Sequence, residues 1–151
     1  MPELLIQGGR VLDPSQDLAG PADVLIREGK VVAVGEPAAI AAQAGPDAEV
    51  VDASGCVVTP GLIDMHVHLR EPGMEEEETI ASGAAAAVAG GFTSVACMPN
   101  TEPPLDSESV MSFVCQEAAR AGLARVFPVG TVTAGRAGQE LAEMEIGRAH
   151  V

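Results

Sequence analysis

The sequence predicts an α/β fold in which a small β domain precedes a series of alternating strands and helices. Short strand patterns separated by turn residues fill residues 1–58, whereas helix and strand patterns alternate over residues 59–144. The first strand of the second part is apolar on both faces, which is typical of a parallel sheet covered by helices. These observations together favour a β domain followed by βα units.

The N-terminal part contains short runs of strand-forming residues between turns rich in glycine, proline and acidic residues. The predicted strands are Leu4 to Ile6, Val11 to Leu12, Asp23 to Arg27, Lys30 to Val34, Val50 to Asp52 and Cys56 to Val58. A short helix is predicted over Ala38 to Gln43. Residues 1–58 are therefore predicted to form a small β domain.

The second part begins with a strand that follows the turn Thr59-Pro60-Gly61 and ends at Glu71-Pro72-Gly73. Helices are then predicted over residues 76–89, 107–121 and 135–144, and strands over residues 92–98 and 123–129. Early acidic residues suit the start of the first helix, Gly90-Gly91 ends it, and Gly122 is the predicted cap of the second. This alternation favours a parallel α/β arrangement.

Two histidines, His66 and His68, lie two residues apart in the first strand of the second part. Residues i and i+2 of a strand point to the same face, so the two imidazoles are expected to project together. Neutral imidazole is a good zinc ligand, and a catalytic zinc keeps one coordination position open for water. The pair predicts half of a metal site; the alternative is two ordinary polar residues at a strand end.

Three further polar residues lie close to this pair along the chain. The Arg70 guanidinium suits a bidentate grip on a carboxylate, although a surface ion pair with the run Glu75 to Glu78 is the alternative. Asn100 follows the next strand and could add a neutral donor, but Pro-Asn-Thr is also typical of turns. Asp64 is two residues before His66 and could orient an imidazole or cap the backbone.

Two motifs, Pro60 to Gly73 and Gly90 to Thr101, closely resemble the dihydroorotase family of the amidohydrolase superfamily. The histidine pair alone marks only the superfamily. An arginine two places later, and Met-Pro-Asn-Thr after the following strand, point to dihydroorotases. Allantoinases carry asparagine and hydantoinases carry aspartate at the position of Arg70. The resemblance extends from the first residues to Met144.

This resemblance implies a partial (β/α)8 TIM-type barrel preceded by a small β-sandwich-like domain. It also implies a zinc-dependent cyclic amidohydrolase that interconverts dihydroorotate and N-carbamoyl-L-aspartate in pyrimidine biosynthesis. His66 and His68 would ligate zinc, while Arg70 and Asn100 would hold the substrate carboxylate. The family site holds two zinc ions, and its other ligands, an aspartate and two histidines, lie outside residues 1–144, as does the aspartate that acts as acid and base. The chain alone is therefore expected to be inactive.

Two other functions stay open on the sequence. A non-catalytic dihydroorotase-like partner of aspartate transcarbamoylase would need no metal ligands, and an allantoinase or hydantoinase would use the same metal chemistry on another substrate. Retention of His66, His68, Arg70 and Asn100 favours the enzyme over the scaffold. A homo-oligomer is compatible with either.

The last seven residues, Glu145 to Val151, depart from the family pattern. A common sequencing-library adapter, read as codons, encodes the same peptide, so residues 145–151 are predicted to be a scar. His150 is then no ligand, and the natural protein is expected to continue beyond Met144; a genuine short tail is the alternative. A barrel takes about 250 residues, whereas the chain has 151, which also indicates truncation.

Composition argues against partners of two classes, nucleic acids and membranes. The formal net charge of −14 argues against nucleic acid, which is bound through lysine and arginine. The sequence has no leader and no long apolar run, and its three cysteines form no CxxC pattern, so a cytoplasmic protein without a membrane span is expected. The acidic run Glu75 to Glu78 is interpreted as a solvated helix start rather than a calcium site.

Overall fold

The computed structural model describes residues 3–143, and the chain divides into two compact units between Pro60 and Gly61. Both units contain sheets, and strands alternate with helices in the second, so the predicted mixed α/β class is confirmed. Within residues 3–143, no helix combines the length and the apolar character that crossing a membrane requires.

The first unit contains two small sheets, one short α-helix and the 3-10 turn Pro14–Gln16. Its four-stranded sheet has the order β5-β4-β1-β6, with β1 Leu4–Gln7, β4 Asp23–Arg27, β5 Lys30–Gly35 and β6 Glu49–Asp52. Its three-stranded sheet has the order β3-β2-β7, with β2 Arg10–Asp13, β3 Leu18–Pro21 and β7 Val57–Val58. The helix α1 is Pro37–Ala41. All six predicted strands are present, and β3 is an additional one.

Local sequence explains most of this unit. The turn Glu28-Gly29, with φ of 50° and 74°, joins β4 to β5 as a tight hairpin. Apolar residues from α1 and the larger sheet pack in one cluster, Leu5, Leu25 and Ile40. The strand β3 is not predicted because Gly20 and Pro21 are poor strand formers, and its antiparallel pairing with β2 overrides that preference.

The second unit is a three-stranded parallel sheet with two helices and a short 3-10 turn. In chain order it contains β8 Leu62–Val67, α2 Ile80–Ala89, β9 Phe92–Cys97, α3 Glu108–Ala121, β10 Arg125–Pro128 and the 3-10 turn Ala134–Arg136. The strand order is β10-β9-β8, and both pairings are parallel. The predicted parallel arrangement is therefore confirmed for these three strands.

The core of the second unit lies between the sheet and the helices. Its buried residues are Leu69, Ile80, Cys97, Leu105, Met111, Val114 and Ala118. By contrast, the side of β8 away from this core stays open: Ile63 is 68% exposed and Met65 is 80% exposed. The expectation that the first strand is buried on both faces is wrong for the described residues, because helices cover only one side of the sheet.

The acidic run Glu75 to Glu78 lies before α2, so the predicted helix start at Glu76 is wrong. Thr79 forms a capping box with Ser82: the Thr79 hydroxyl accepts the Ser82 amide at 3.1 Å, and the Ser82 hydroxyl accepts the Thr79 amide at 2.9 Å. This reciprocal pair satisfies the amides of the N-cap residue and of the third helical residue, and so sets the boundary. At the end of α3, Gly122 has φ 62°, as predicted for a helix cap.

The third predicted helix, residues 135–144, is wrong over its described part. Thr133 and Leu141 form an antiparallel bridge, and the Ala134 amide donates to the Glu140 carbonyl at 2.9 Å. Gly135 and Gly138 have positive φ values, which a helix does not allow. Met144 and the predicted scar at residues 145–151 lie outside the described residues.

Candidate functional site

The histidine pair lies where β8 ends. His66 is the penultimate residue of the strand and His68 is the first residue after it. Their ring centroids are 5.2 Å apart, with the rings at 66° to one another. Both side chains are exposed. The two imidazoles therefore project close together at the carboxyl end of a parallel strand, where α/β proteins build their sites.

A register shift between Asp64 and Val67 changes the simple strand alternation. Asp64 pairs with Val95 and Val67 pairs with Cys97, so β8 uses one residue more than β9 over this interval. The Asp64 carboxylate accepts the backbone amide of His66 at 3.0 Å. This contact is with the backbone, as in the capping alternative for Asp64.

Asn100 contacts the second histidine directly. His68 Nδ1 donates to Asn100 Oδ1 at 2.6 Å. The two side chains meet because the Met98 amide donates to the Val67 carbonyl at 2.8 Å, which extends the β8–β9 pairing to the ends of both strands. The structure thus brings together two of the predicted site residues that are 32 positions apart in the sequence.

Arg70 lies in a tight turn and forms one ion pair. Its φ is 62°, and the Glu71 amide donates to the Leu69 carbonyl at 2.7 Å across it. Arg70 Nε is 3.4 Å from Glu77 Oε2, and the two side chains are 37% and 58% exposed. Such an exposed pair contributes less than about 1 kcal/mol. The ion pair that was the alternative for Arg70 is present, and its weakness leaves the guanidinium available to another carboxylate.

Acidic side chains organise the loop that follows Arg70. Glu71 Oε2 accepts the first amide of α2, from Ile80, at 2.7 Å. Glu75 Oε1 accepts the Gly73 amide at 2.8 Å, and this hydrogen bond, with that of its own amide, lowers the pKa of the Glu75 carboxyl. The role of Glu71 was missed in the sequence, whereas Glu77 belongs to the acidic run that was the alternative partner for Arg70.

The loops that carry Arg70 and Asn100 are in close contact. The Glu102 amide donates to the Pro72 carbonyl at 2.9 Å. Gly73 has φ 102°, and a Cβ placed on it would lie 2.2 Å from the carbonyl oxygen of Glu102. This close backbone approach requires glycine at position 73.

We expect Gly73→Ala to destabilise the chain more than Gly91→Ala. Gly91 has a comparable φ of 84°, but an added Cβ would meet only open space, so its substitution isolates the backbone cost, about 1–2 kcal/mol. The additional loss of unfolding free energy in Gly73→Ala measures the clash with Glu102. Thermal unfolding of both variants and the parent chain is the measurement. Equal losses of stability in the two variants would show that the loops carrying Arg70 and Asn100 are not in backbone contact.

The donor set fits part of a zinc site. His66 and His68 provide two imidazoles, whereas a catalytic zinc takes three protein ligands. Across residues 3–143, no group of three or more His, Cys, Asp or Glu side chains is placed to hold a metal ion. The engaged Nδ1 of His68 leaves Nε2 as its ligand atom. The chemistry therefore suits zinc, and further ligands are needed to complete the coordination.

A cleft of about 190 Å³ lies against β8 and α2, and Asp64, His68 and Glu78 are among the residues that line it. Because His68 lines it, this cleft adjoins the histidine pair.

Comparison with known sequences gives a consistent family. The model of the family described as dihydro-orotase-like matches residues 55–149. The chain is 56% identical over 141 residues to the dihydroorotase of Pelobacter propionicus, covering 93% of this chain and 32% of the relative. It is 46% identical over 143 residues to that of Aquifex aeolicus, with coverages of 95% and 33%. The chain thus spans about a third of the length of the curated relatives it matches.

Solved structures resemble the chain in fold. An L-hydantoinase (dihydropyrimidinase) from Arthrobacter aurescens superposes with a TM-score of 0.72 at 24% identity, covering 88% of this chain and 28% of the other. A dihydropyrimidinase from Brevibacillus agri superposes with a TM-score of 0.61 at 29% identity, with coverages of 87% and 28%.

Proposed function

The chain belongs to the dihydro-orotase-like family, and on that basis we propose that it carries the first metal ligands and the carboxylate-binding residues of a zinc-dependent dihydroorotase. The reaction is hydrolysis of the ring amide of dihydroorotate to N-carbamoyl-L-aspartate, and its reverse, in pyrimidine biosynthesis. The observation that carries the proposal is the contact between His68 and Asn100 at the ends of neighbouring parallel strands.

Each site residue has a separate task in this proposal. His66 and His68 hold zinc, which when bound supplies Lewis-acid polarisation of a carbonyl and activation of water near neutral pH. The Arg70 guanidinium binds the substrate carboxylate through two parallel hydrogen bonds. The Asn100 amide adds a neutral donor to the same carboxylate. Together these contacts orient the ring so that its amide carbonyl faces the metal ligands.

We further propose that the second unit is the opening part of a (β/α)8 barrel and that the first unit is a small β-sandwich-like domain. The parallel β8, β9 and β10, with the site residues at the carboxyl ends of β8 and β9, support the barrel. The likeness to the dihydropyrimidinase fold supports it independently. The division after Pro60 supports domains at residues 1–58 and 59–144.

The cellular setting and the partners follow from the same proposal. We assign two zinc ions, a small-molecule substrate and a cytoplasmic location. The free state of Cys56, Cys97 and Cys115 supports a reducing compartment. The same proposal includes a homo-oligomer or association with aspartate transcarbamoylase, and sedimentation of the full-length protein with and without the transcarbamoylase distinguishes the two.

The hydantoinase alternative keeps the metal ligands but changes the substrate. Arg70 decides between the two, because a substrate without a carboxylate gives a guanidinium no partner at this position. The scaffold alternative is disfavoured because a non-catalytic partner has no physical need for paired metal ligands.

The test uses a hybrid protein in which residues 1–143 of this chain replace the matching third of the Pelobacter propionicus relative. We expect zinc-dependent turnover of dihydroorotate, measured by release of N-carbamoyl-L-aspartate, and no turnover of dihydrouracil, which lacks the carboxylate. The unmodified relative and the hybrid treated with a chelator are the controls. A folded hybrid that hydrolyses dihydrouracil in preference would support the hydantoinase alternative instead.

A further inference from the structure

We propose that Asn100 is also a positioning residue for zinc, because its hydrogen bond to His68 selects the imidazole tautomer that binds the metal. This inference rests on the proposed function for the presence of zinc, and it assigns Asn100 a role besides carboxylate binding. The contact is short, 2.6 Å between His68 Nδ1 and Asn100 Oδ1. Asn100 would then connect the metal ligands with the substrate.

The first step concerns the histidine. Neutral imidazole carries one proton, on either Nδ1 or Nε2, and the hydrogen bond of one nitrogen decides which nitrogen is free. Asn100 Oδ1 only accepts, so His68 must place its proton on Nδ1 to make this contact. The lone pair of Nε2 is then free for zinc. A hydrogen-bond partner of this kind typically changes metal affinity by about 10–100-fold.

The second step concerns the amide. Because Oδ1 of Asn100 faces the histidine, the amide nitrogen with its two donors is turned away from His68. Donors are what a substrate carboxylate requires. A single hydrogen bond therefore fixes two orientations: the lone pair of His68 and the donors of Asn100.

The third step concerns rigidity. Asn100 lies between Pro99, whose carbonyl accepts the Leu105 amide at 3.3 Å, and the buried Thr101. The Thr101 hydroxyl donates to the Pro103 carbonyl at 2.7 Å. The loop is thereby held at both sides of Asn100, so the amide can position the imidazole instead of following it.

The experiment separates the two roles with two substitutions in the hybrid protein. Asn100→Asp keeps an oxygen that can accept from His68 but loses the amide donors. Asn100→Leu removes the acceptor and the donors and leaves a side chain of similar size. Gln116→Leu, on the exposed surface of α3, is the matched control. Zinc affinity is measured by competition with a chromogenic chelator. The protonated nitrogen of His68 is identified in the metal-free protein by 15N-histidine NMR near pH 8.5, with His68→Asn to assign the signal.

We expect Asn100→Leu to weaken zinc binding about 10–100-fold and to shift the His68 proton from Nδ1 towards Nε2. Asn100→Asp is expected to retain zinc affinity and the Nδ1 proton while the KM for dihydroorotate rises. Unchanged zinc affinity and an unchanged Nδ1 proton in Asn100→Leu would overturn the inference.

These results also distinguish the inference from the proposed function. Zinc binding and the imidazole spectrum do not depend on turnover, so a hybrid that binds zinc but does not hydrolyse dihydroorotate would reject the substrate and leave the inference standing. A hybrid that hydrolyses dihydroorotate but shows neither effect in Asn100→Leu would reject the inference alone. Failure of the hybrid to bind zinc would count against both.

Discussion

Alanine in place of His66 or His68 is expected to abolish the zinc-dependent turnover of dihydroorotate by the hybrid protein. Lewis-acid stabilisation by a metal is worth several kcal/mol, and about 1.4 kcal/mol corresponds to a tenfold change in rate. The expected fall in kcat is therefore at least about 10³-fold. Steady-state kinetics at saturating zinc measure it.

A second measurement shows whether the metal site itself is lost. A ligand that binds only the folded state raises the unfolding temperature, so zinc should stabilise the parent hybrid but neither histidine variant. Gln116→Leu should respond to zinc as the parent does. Turnover that survives in both histidine variants would show that zinc is held elsewhere and that the pair at the end of β8 is structural.

Arg70→Gln is expected to lower kcat/KM for dihydroorotate by about 10²–10³-fold, because charge-assisted hydrogen bonds contribute about 1.5–3 kcal/mol each. The loss should appear mainly in KM if the carboxylate is held equally in the ground state and the transition state. Arg70→Lys keeps the charge but not the planar fork, so an intermediate loss is expected.

Glu77→Gln provides the matched control for this prediction. It removes the weak ion pair at 3.4 Å but leaves the guanidinium in place, so turnover should persist. If Arg70 serves only to pair with Glu77, the two variants will instead behave alike. Equal kinetics for Arg70→Gln and Glu77→Gln would therefore contradict carboxylate binding by Arg70.

Much of the fold could be predicted because it depends on local physical preferences. The predicted strand Asp23–Arg27 has the observed bounds, and α3 ends at Ala121 with Gly122 as its predicted cap. The errors occur where a local pattern competes with another hydrogen-bonding arrangement. Thr79 and Ser82 cap α2 later than the acidic residues suggest, and the bridge between Thr133 and Leu141 replaces the third predicted helix.

In the candidate site too, local features could be predicted from the sequence and long-range contacts could not. The spacing of His66 and His68, and the positions of Arg70 and Asn100 after strands, could be predicted from residue types. The bulge next to Asp64 could not be predicted from the sequence, because it depends on the register of β8 with β9. The same register brings Asn100 to His68, a contact that spans 32 positions and has no local signature.

The sequence by itself determined most of the order of strands and helices, the chemistry of the site residues and the family. These properties depend on residue type, short-range periodicity and turn preference. Only the tertiary structure decided the strand register, the hydrogen bond between His68 and Asn100 and the ion pair between Arg70 and Glu77. The physical reason is that pairing and packing select among many locally acceptable arrangements, and their energies depend on residues far apart in the chain.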